Sequence, residues 1–558
     1  MLNLHTEYIK EYRNDLGVIE NYELIQPEAF NFAYDVIDRI AEKEPQRRAM
    51  FWSNEVGEHM TLTFSDFKKK SDQCAAYFQS LGIRKGDKVM LILKRHYHFW
   101  FAILGLHKIG AVGIPATNQL LVKDLVYRFQ AADISAVICT PDGGISDYVE
   151  QAITVYDKPM TRIMVRKAKP GWHFFEDGLA AAAPFVRPTG ADAACNEDMM
   201  LLYFTSGTTG LPKMVTHDFN YPIGHIPTAK YWHKVDPDGL HLTVSETGWA
   251  KSVWGKLYGQ WLMEAGIYVF DFDRFDPKVM LSKIETDKIT TFCAPPTIYR
   301  FLIKEDLTRY DLTSLQHCTI AGEALNPEVY EQFLRATGLE LKEGYGQTEM
   351  TLAVVTNHWM ATKPGSMGKP SPVYNIILLD DLDQPVAPGQ SGEICIVMHD
   401  RKIPGMFRGY HKDPELTAKV WHDGIYHTGD LAWQDEDGYL WFVGRSDDII
   451  KSSGYRIGPF EVESVLMEHP AVLECAITGE PDPVRGQLVK ATVVLAKGYE
   501  ASDALRNELQ EYVKTHTAPY KYPRVLVFVP ELPKTISGKI RRIEIREGGK
   551  KDGPVAED

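Results

Sequence analysis

The stretch Tyr203-Phe-Thr-Ser-Gly-Thr-Thr-Gly-Leu-Pro-Lys213 crowds hydroxyls and glycines ahead of a single lysine, directly after the apolar run Met199–Phe204. Such a loop suits a polyphosphate. Glycines let the backbone approach phosphate oxygens, hydroxyls and N–H groups donate hydrogen bonds, and the lysine brings charge. A Ser/Thr/Gly-rich surface turn would have the same composition. The Walker-type loop of nucleotide hydrolases fails on spacing: it needs four residues between its glycines and a Gly-Lys-Ser/Thr opening a helix. Here only two residues separate Gly207 and Gly210, and Pro212 removes an N–H donor just before Lys213.

The loop closely resembles the phosphate-binding signature of the adenylate-forming enzymes, namely acyl-CoA synthetases, peptide-synthetase adenylation domains and luciferases. Further motifs follow in the order which that resemblance implies, and they span most of the chain. Ala321-Gly-Glu-Ala-Leu325 reads as a strand-end turn, and Glu343-Gly-Tyr-Gly-Gln-Thr-Glu349 follows it. The resemblance implies an ATP site of Thr205, Ser206, Gly207, Thr208, Thr209, Gly210, Lys213, Gly322, Glu323, Ala324, Glu343, Gly344, Tyr345, Gly346, Gln347, Thr348, Asp430, Arg445 and Lys539. Within it Tyr345 stacks on adenine, Thr348 donates to a phosphate and Glu349 reaches Mg²⁺. Asp430, in Tyr426-His-Thr-Gly-Asp430, would accept the ribose hydroxyls with Arg445 assisting. Without the other motifs, Asp430 reads first as a turn aspartate capping a helix.

Pro533-Lys-Thr-Ile-Ser-Gly-Lys539-Ile-Arg-Arg542 resembles the segment that carries the family's catalytic lysine, which falls on Lys539 rather than Lys534. A mobile cation there would stabilise charge on the α-phosphate and the leaving pyrophosphate. The catalytic set implied is Lys539, Thr348 and Glu349. Asp447 matches the family's hinge. Past it, Lys451-Ser-Ser-Gly-Tyr-Arg-Ile-Gly458 matches the loop that lines the pantetheine tunnel, so Ser453, Gly454, Tyr455 and Arg456, with Arg485 and Lys514, are expected to meet coenzyme A. Arg485 and Lys514 read equally as solvated surface charges.

The expected acyl pocket is Trp232, Trp249, Lys251, Trp254, Cys293 and Gly346. The tryptophans could equally fill a core, and Lys251 is out of place in an apolar wall. Gly-Tyr-Gly-Gln-Thr-Glu and Thr517-Ala-Pro-Tyr-Lys-Tyr-Pro523 look most like the medium-chain acyl-CoA synthetase group. The activity implied is ATP-dependent, AMP-forming activation of a short- to medium-chain or branched carboxylic acid and its transfer to CoA. A benzoate-like aromatic acid, or loading of a carrier protein, is the alternative.

These motifs need rigid elements to hold them. At 558 residues the chain exceeds one core. We expect an α/β protein with a large N-terminal domain, residues 1–446, of mostly parallel layered sheets with helices, and a small mobile α+β domain, 447–558. Buried-strand runs at 88–93, 111–114, 137–140, 267–270, 290–293 and 317–320 alternate with helical stretches such as His98–Ile109, the pattern of parallel sheets covered on both faces. Residues 1 to about 45 read as a polar helical lead-in, and the last dozen as frayed.

A net charge of −14 argues against broad nucleic-acid binding. Seven scattered cysteines without CxxC spacing read as reduced thiols rather than disulfides or zinc ligands. The charged start is no secretory signal, and no run of 18 apolar residues exists, so no membrane partner and a cytoplasmic location are expected. Oligomeric state stays open, a homodimer included.

Overall fold

The computed structural model describes residues 1–205, 211–323, 325–399, 402–534 and 539–548. Two large sheets carry the expected α/β layering. The first has seven strands, ordered Lys213–Asp218, Met199–Thr205, Val112–Pro115, Lys88–Ile92, Ala136–Cys139, Thr161–Met164 and His173–Phe174. All its pairs are parallel except the hairpin Met199–Thr205/Lys213–Asp218, which registers Thr205 against Lys213. The second has nine strands. Its parallel centre runs Leu341–Tyr345, His317–Ile320, Thr291–Ala294, Leu240–Thr243, Gly266–Asp271 and Arg48–Asn54. Short antiparallel strands close both of its edges.

The helix His98–Ile109 explains how the two sheets share a core. All of its residues are buried, including His107 and Lys108, and it stops at Gly110 in the left-handed region, φ 71°. Its Trp100 indole donates to the Lys256 carbonyl at 2.6 Å, and Trp261 donates to the Ala49 carbonyl at 2.9 Å. Neighbouring helix Phe64–Ser80 begins at a Thr63/Asp66 capping box. Its residues join those of His98–Ile109 and of both sheets in the largest apolar cluster.

A third, antiparallel sheet holds Asn375–Leu379, Ser391–Val397, Ile425–Gln434, Trp421–His422 and Leu440–Arg445. The fourth comprises Tyr455–Ile457, Ile450–Ser452, Gly486–Leu495, Val472–Asp482 and Val525–Phe528. It has its own core around Ile457, Val462, Ile477, Ala491 and Leu509.

The lead-in is helical as expected over Ala33–Asp38 and Arg39–Lys43 but departs from expectation before that. Residues 9–24 form a hairpin, Ile9–Arg13 against Ile19–Leu24, rather than a helix. The polar side chains that suggested a solvated helix are partnered instead. Glu11 accepts from Tyr231 at 2.7 Å, and the buried Tyr22 hydroxyl meets Ser371 at 3.1 Å. Gly17 (φ 77°) makes the turn. Residues 549–558, most of the expected frayed end, lie outside the described residues.

Lys108 interrupts the apolar pattern because it is an ionic centre. Its ammonium lies 2.8 Å from Asp38 and 2.5 Å from Asp72 and is fully buried. Removing one partner of such a group strands the others. Lys108→Met is expected to destabilise the chain by about 3–5 kcal/mol, read as a lowered urea midpoint. A loss under about 1 kcal/mol would make the triad equivalent to a surface pair.

Candidate active site

Residues from three separate motifs meet at Asp430. Strand alternation turns Tyr426, Thr428 and Asp430 to the buried face of Ile425–Gln434. Cross-strand register sets Asp430 opposite Arg445. Asp430 Oδ1 accepts from Arg445 Nη1 at 3.1 Å, while Oδ2 accepts from both the Tyr345 hydroxyl and Gln347 Nε2 at 2.6 Å. The Gln347 amide is fixed in turn, donating to the Thr428 carbonyl at 2.9 Å and accepting from Tyr426 at 2.9 Å. Burial, with Asp430 alongside, raises the Tyr345 phenol well above its ordinary value, so it stays a donor. Arg445 also lies 3.7 Å from Asp447.

A second group forms at the end of the first sheet. Glu349 Oε1 accepts from the Tyr410 hydroxyl at 2.9 Å, and the Lys213 ammonium lies 5.2 Å from the Tyr410 ring centroid. Burial pulls the Lys213 ammonium below its ordinary value, against the opposing charge of Glu349. Thr205 and Lys213 flank the loop 206–210. Ser206, Gly207, Thr208, Thr209 and Gly210 lie outside the described residues, as does Ala324. The Thr348 carbonyl accepts from His217 Nε2 at 2.7 Å. A part-exposed carboxylate already oriented by a phenol suits a hard cation such as Mg²⁺, which takes oxygen ligands.

The expected acyl-pocket residues meet only in part. A Cβ on Gly346 would lie 2.6 Å from Trp254 Cη2 and 2.7 Å from the Thr351 carbonyl oxygen, so glycine is what admits the indole. Lys251 donates to the Ala321 carbonyl. Burial lowers the Lys251 ammonium, with Cys293 and Glu323 opposing that fall and the positive charge of Lys539 adding to it. Trp232 is held elsewhere. Its indole donates to the Lys342 carbonyl at 2.9 Å, and its ring covers Gly344. Trp249 is half-buried at the start of helix Ala250–Lys256.

Two residues expected at the nucleotide make contacts outside the Asp430 group. Glu323 accepts from Thr297 at 3.2 Å, toward helix Pro296–Leu302. Glu343 is buried, with Oε1 3.4 Å from the Leu325 N–H and Oε2 without a hydrogen-bond partner among the described residues. Gly322 makes its turn at φ 108°.

The residues expected to meet CoA gather on the fourth sheet. Arg485 donates to Ser453 Oγ at 3.1 Å, and Tyr455 stacks on Tyr520 at 4.0 Å between centroids. Arg456 pairs with Asp381 of the third sheet, and Lys514 pairs with Glu511 at 3.0 Å. Gly454 has φ 83°, but a Cβ there would meet no atom of the described residues within 4 Å, so those residues do not form the tight passage expected around it in this arrangement. Tyr410, His217 and the role of Tyr426 escaped the sequence reading. Tyr410 is 61 residues from its partner Glu349, and no local spacing announces such a pair.

The model of the AMP-binding enzyme family matches residues 37–411, and that of the AMP-binding enzyme C-terminal domain matches 461–539. Among curated proteins, the chain is 40% identical over 556 residues to acyl-coenzyme A synthetase ACSM3, mitochondrial, of Rattus norvegicus, covering 96% of this chain and 95% of that one. It is 42% identical over 533 residues to acyl-coenzyme A synthetase ACSM5, mitochondrial, of Mus musculus, covering 93% and 91%. Among solved structures, the anthranilate CoA ligase AuaEII in complex with anthranoyl-AMP matches with TM-score 0.86 at 27% identity, covering 94% and 98%. A benzoate CoA ligase from Burkholderia xenovorans LB400 matches with TM-score 0.80 at 27% identity, covering 93% and 100%.

Burial raises the Glu343 carboxyl from 4.5 to about 8. Unfolded chain sheds this proton above about 4.5, while folded chain keeps it to about 8, so Glu343 makes stability fall as pH rises through that window. Glu343→Gln keeps an acceptor for Leu325 and removes the titration. Melting temperatures between pH 5 and 8 are expected to fall less steeply in the variant. Parallel curves would show that Glu343 is ionised in the fold.

Proposed function

The chain belongs to the AMP-binding enzymes and is an AMP-forming acyl-coenzyme A synthetase, and from that premise we propose how its own residues divide the work and which acids it takes. The enzyme joins a carboxylic acid to CoA at the expense of ATP, with Mg²⁺. Among the described residues no helix is long and apolar enough to cross a membrane.

In the first step the substrate carboxylate attacks the α-phosphorus of ATP, giving acyl-AMP and pyrophosphate. The convergence of Tyr345, Gln347 and Arg445 on Asp430 carries the reading. It holds a buried carboxylate where a ribose diol can exchange into the same acceptor positions. Tyr345 offers a ring face to adenine. Lys213 and the 206–210 loop receive phosphates, and Thr348 donates to them. Lys539 supplies positive charge where it accumulates as pyrophosphate departs. Glu349 would hold Mg²⁺, which when bound neutralises phosphate charge.

In the second step CoA thiolate attacks the acyl carbonyl and AMP leaves. Acyl-AMP is already activated, so no side-chain nucleophile is needed and Cys293 serves as a wall. Lys539 faces Lys251 while the 450–457 hairpin is largely exposed, which supports assigning this arrangement to the first step. The boundary we propose divides 1–446 from 447–558, with rotation about Asp447 withdrawing Lys539 and bringing in Ser453, Gly454 and Tyr455. Arg456, Arg485 and Lys514 would then meet the CoA phosphates. We place the enzyme in the cytoplasm, although both curated relatives are named as mitochondrial.

Trp254 lying against Gly346 favours a short, branched or compact acid. The anthranilate and benzoate ligases among the structural matches make a small aromatic acid the second reading. ATP–pyrophosphate exchange across acetate to decanoate, branched butyrates and benzoate distinguishes them. Exchange is expected to peak at a short or branched acid, with thioester appearing once CoA is added. Exchange without thioester would transfer the enzyme to carrier-protein loading.

The division of labour is tested by two substitutions. Lys539→Ala is expected to abolish exchange yet form thioester from supplied acyl-AMP. Gly454→Leu is expected to retain exchange and lose thioester formation. Equal loss of both half-reactions in the lysine variant would remove Lys539 from its role.

A further inference from the structure

The strand that carries Asp430 has a second face with chemistry that adenylation does not use. His427 alternates to the side opposite Asp430 and lies directly across the antiparallel pair from Cys395. Glu393 joins them through a register shift between Glu393 and Cys395. His427 Nδ1 is 3.2 Å from Glu393 Oε2 and 3.5 Å from Cys395 Sγ. The remaining Glu393 oxygen accepts from the Gly429 N–H at 2.7 Å. His422 stacks on the His427 ring at 4.5 Å between centroids, fixing its plane.

The Cys395 sulfur, the His427 ring nitrogen and a Glu393 carboxylate oxygen all lie within 4.8 Å of one another, three donor types that zinc takes together. Tetrahedral Zn²⁺, with bonds of about 2.3 Å to sulfur and 2.0–2.2 Å to nitrogen and oxygen, sets S···N and N···O edges of about 3.6 and 3.4 Å. The observed separations are 3.5 and 3.2 Å.

We propose that Cys395 Sγ, His427 Nδ1 and Glu393 Oε2 form a mononuclear site for a borderline-soft divalent cation of the zinc class, with a fourth position open to water. Metal uptake breaks the S–H bond, forms the metal–thiolate bond and releases one proton to solvent. Glu393 Oε1 keeps its bond to Gly429, one residue from Asp430, so the bound ion braces the strand behind the proposed ribose aspartate. Glu-x-Cys on one strand and a lone histidine on another have no linear zinc signature, which is why cysteine spacing pointed away from metal.

The test uses full-length, reduced, metal- and nucleotide-free enzyme carrying Cys195→Ser, because Cys195 is the exposed cysteine. Co²⁺ is titrated as a spectroscopic probe, and Zn²⁺ is then added. One equivalent should give thiolate-to-cobalt charge-transfer absorption that Zn²⁺ abolishes. Cys395→Ser should lose the band. Glu393→Gln, which keeps an acceptor for Gly429, and His427→Ala should each weaken Co²⁺ binding by roughly tenfold or more. Zn²⁺ should raise the melting temperature of the parent but not of folded Cys395→Ser. A band that survives Cys395→Ser, or the lack of a one-equivalent endpoint in the parent, overturns the site.

Discussion

Asp430 is the constraint on which the site depends. Its carboxylate is 6% exposed and takes three donors from two sheets, Tyr345 and Gln347 beside the second and Arg445 on the third. A buried carboxylate is costly unless its lone pairs are satisfied, and bonds to a charged group contribute about 1.5–3 kcal/mol each. The pull is therefore mutual. Asp430 fixes the ring of Tyr345 and the amide of Gln347, and those groups satisfy its oxygens inside the fold. In the proposed ribose role, an arriving diol would meet an acceptor already aimed and desolvated, with little reorganisation left for binding.

Glycine does comparable work in the opposite direction, by what it leaves out. Trp254 reaches Gly346 and Trp232 reaches Gly344, with hypothetical Cβ contacts of 2.6 and 2.9 Å. The two indoles thus press on alternate positions of one motif whose intervening residue is Tyr345. A side chain at either glycine would displace a buried tryptophan and, with it, the tyrosine that holds Asp430. The packing of the two indoles and the polar group at Asp430 are mechanically joined through residues 344–347.

Much of this was legible because the chemistry lies in contiguous motifs. The strands at 88–92 and 317–320 and the helix 98–109 appear where apolar runs placed them. Local pattern could not reveal partners supplied by distant chain. Glu343 stands inside a nucleotide motif, yet its carboxyl is buried behind Leu325. Trp232 reads as a pocket wall until its indole finds the Lys342 carbonyl. The first hairpin was hidden because its polar residues looked solvated, when Glu11 and Tyr22 are anchored by Tyr231 and Ser371. Asp430 read as a turn residue because its strand is defined by pairing with Leu440–Arg445, not by hydrophobicity.

The same logic bears on motion. The fourth sheet holds a core of its own, and several of its side-chain contacts to the rest are of a kind that breaks readily. Arg456–Asp381 is exposed on both sides, Arg300 reaches Met467 Sδ at 3.2 Å, and Asn326 donates to the Ser464 carbonyl at 3.2 Å. Exposed ion pairs contribute about 0–1 kcal/mol, so releasing them costs little. The charge of Lys539 also helps to lower the Lys251 ammonium. In the division of labour proposed above, ATP phosphate charge would offset that effect, and the offset would weaken once pyrophosphate departs. A rotation about Asp447 would then follow the loss of the charge that Lys539 is proposed to meet.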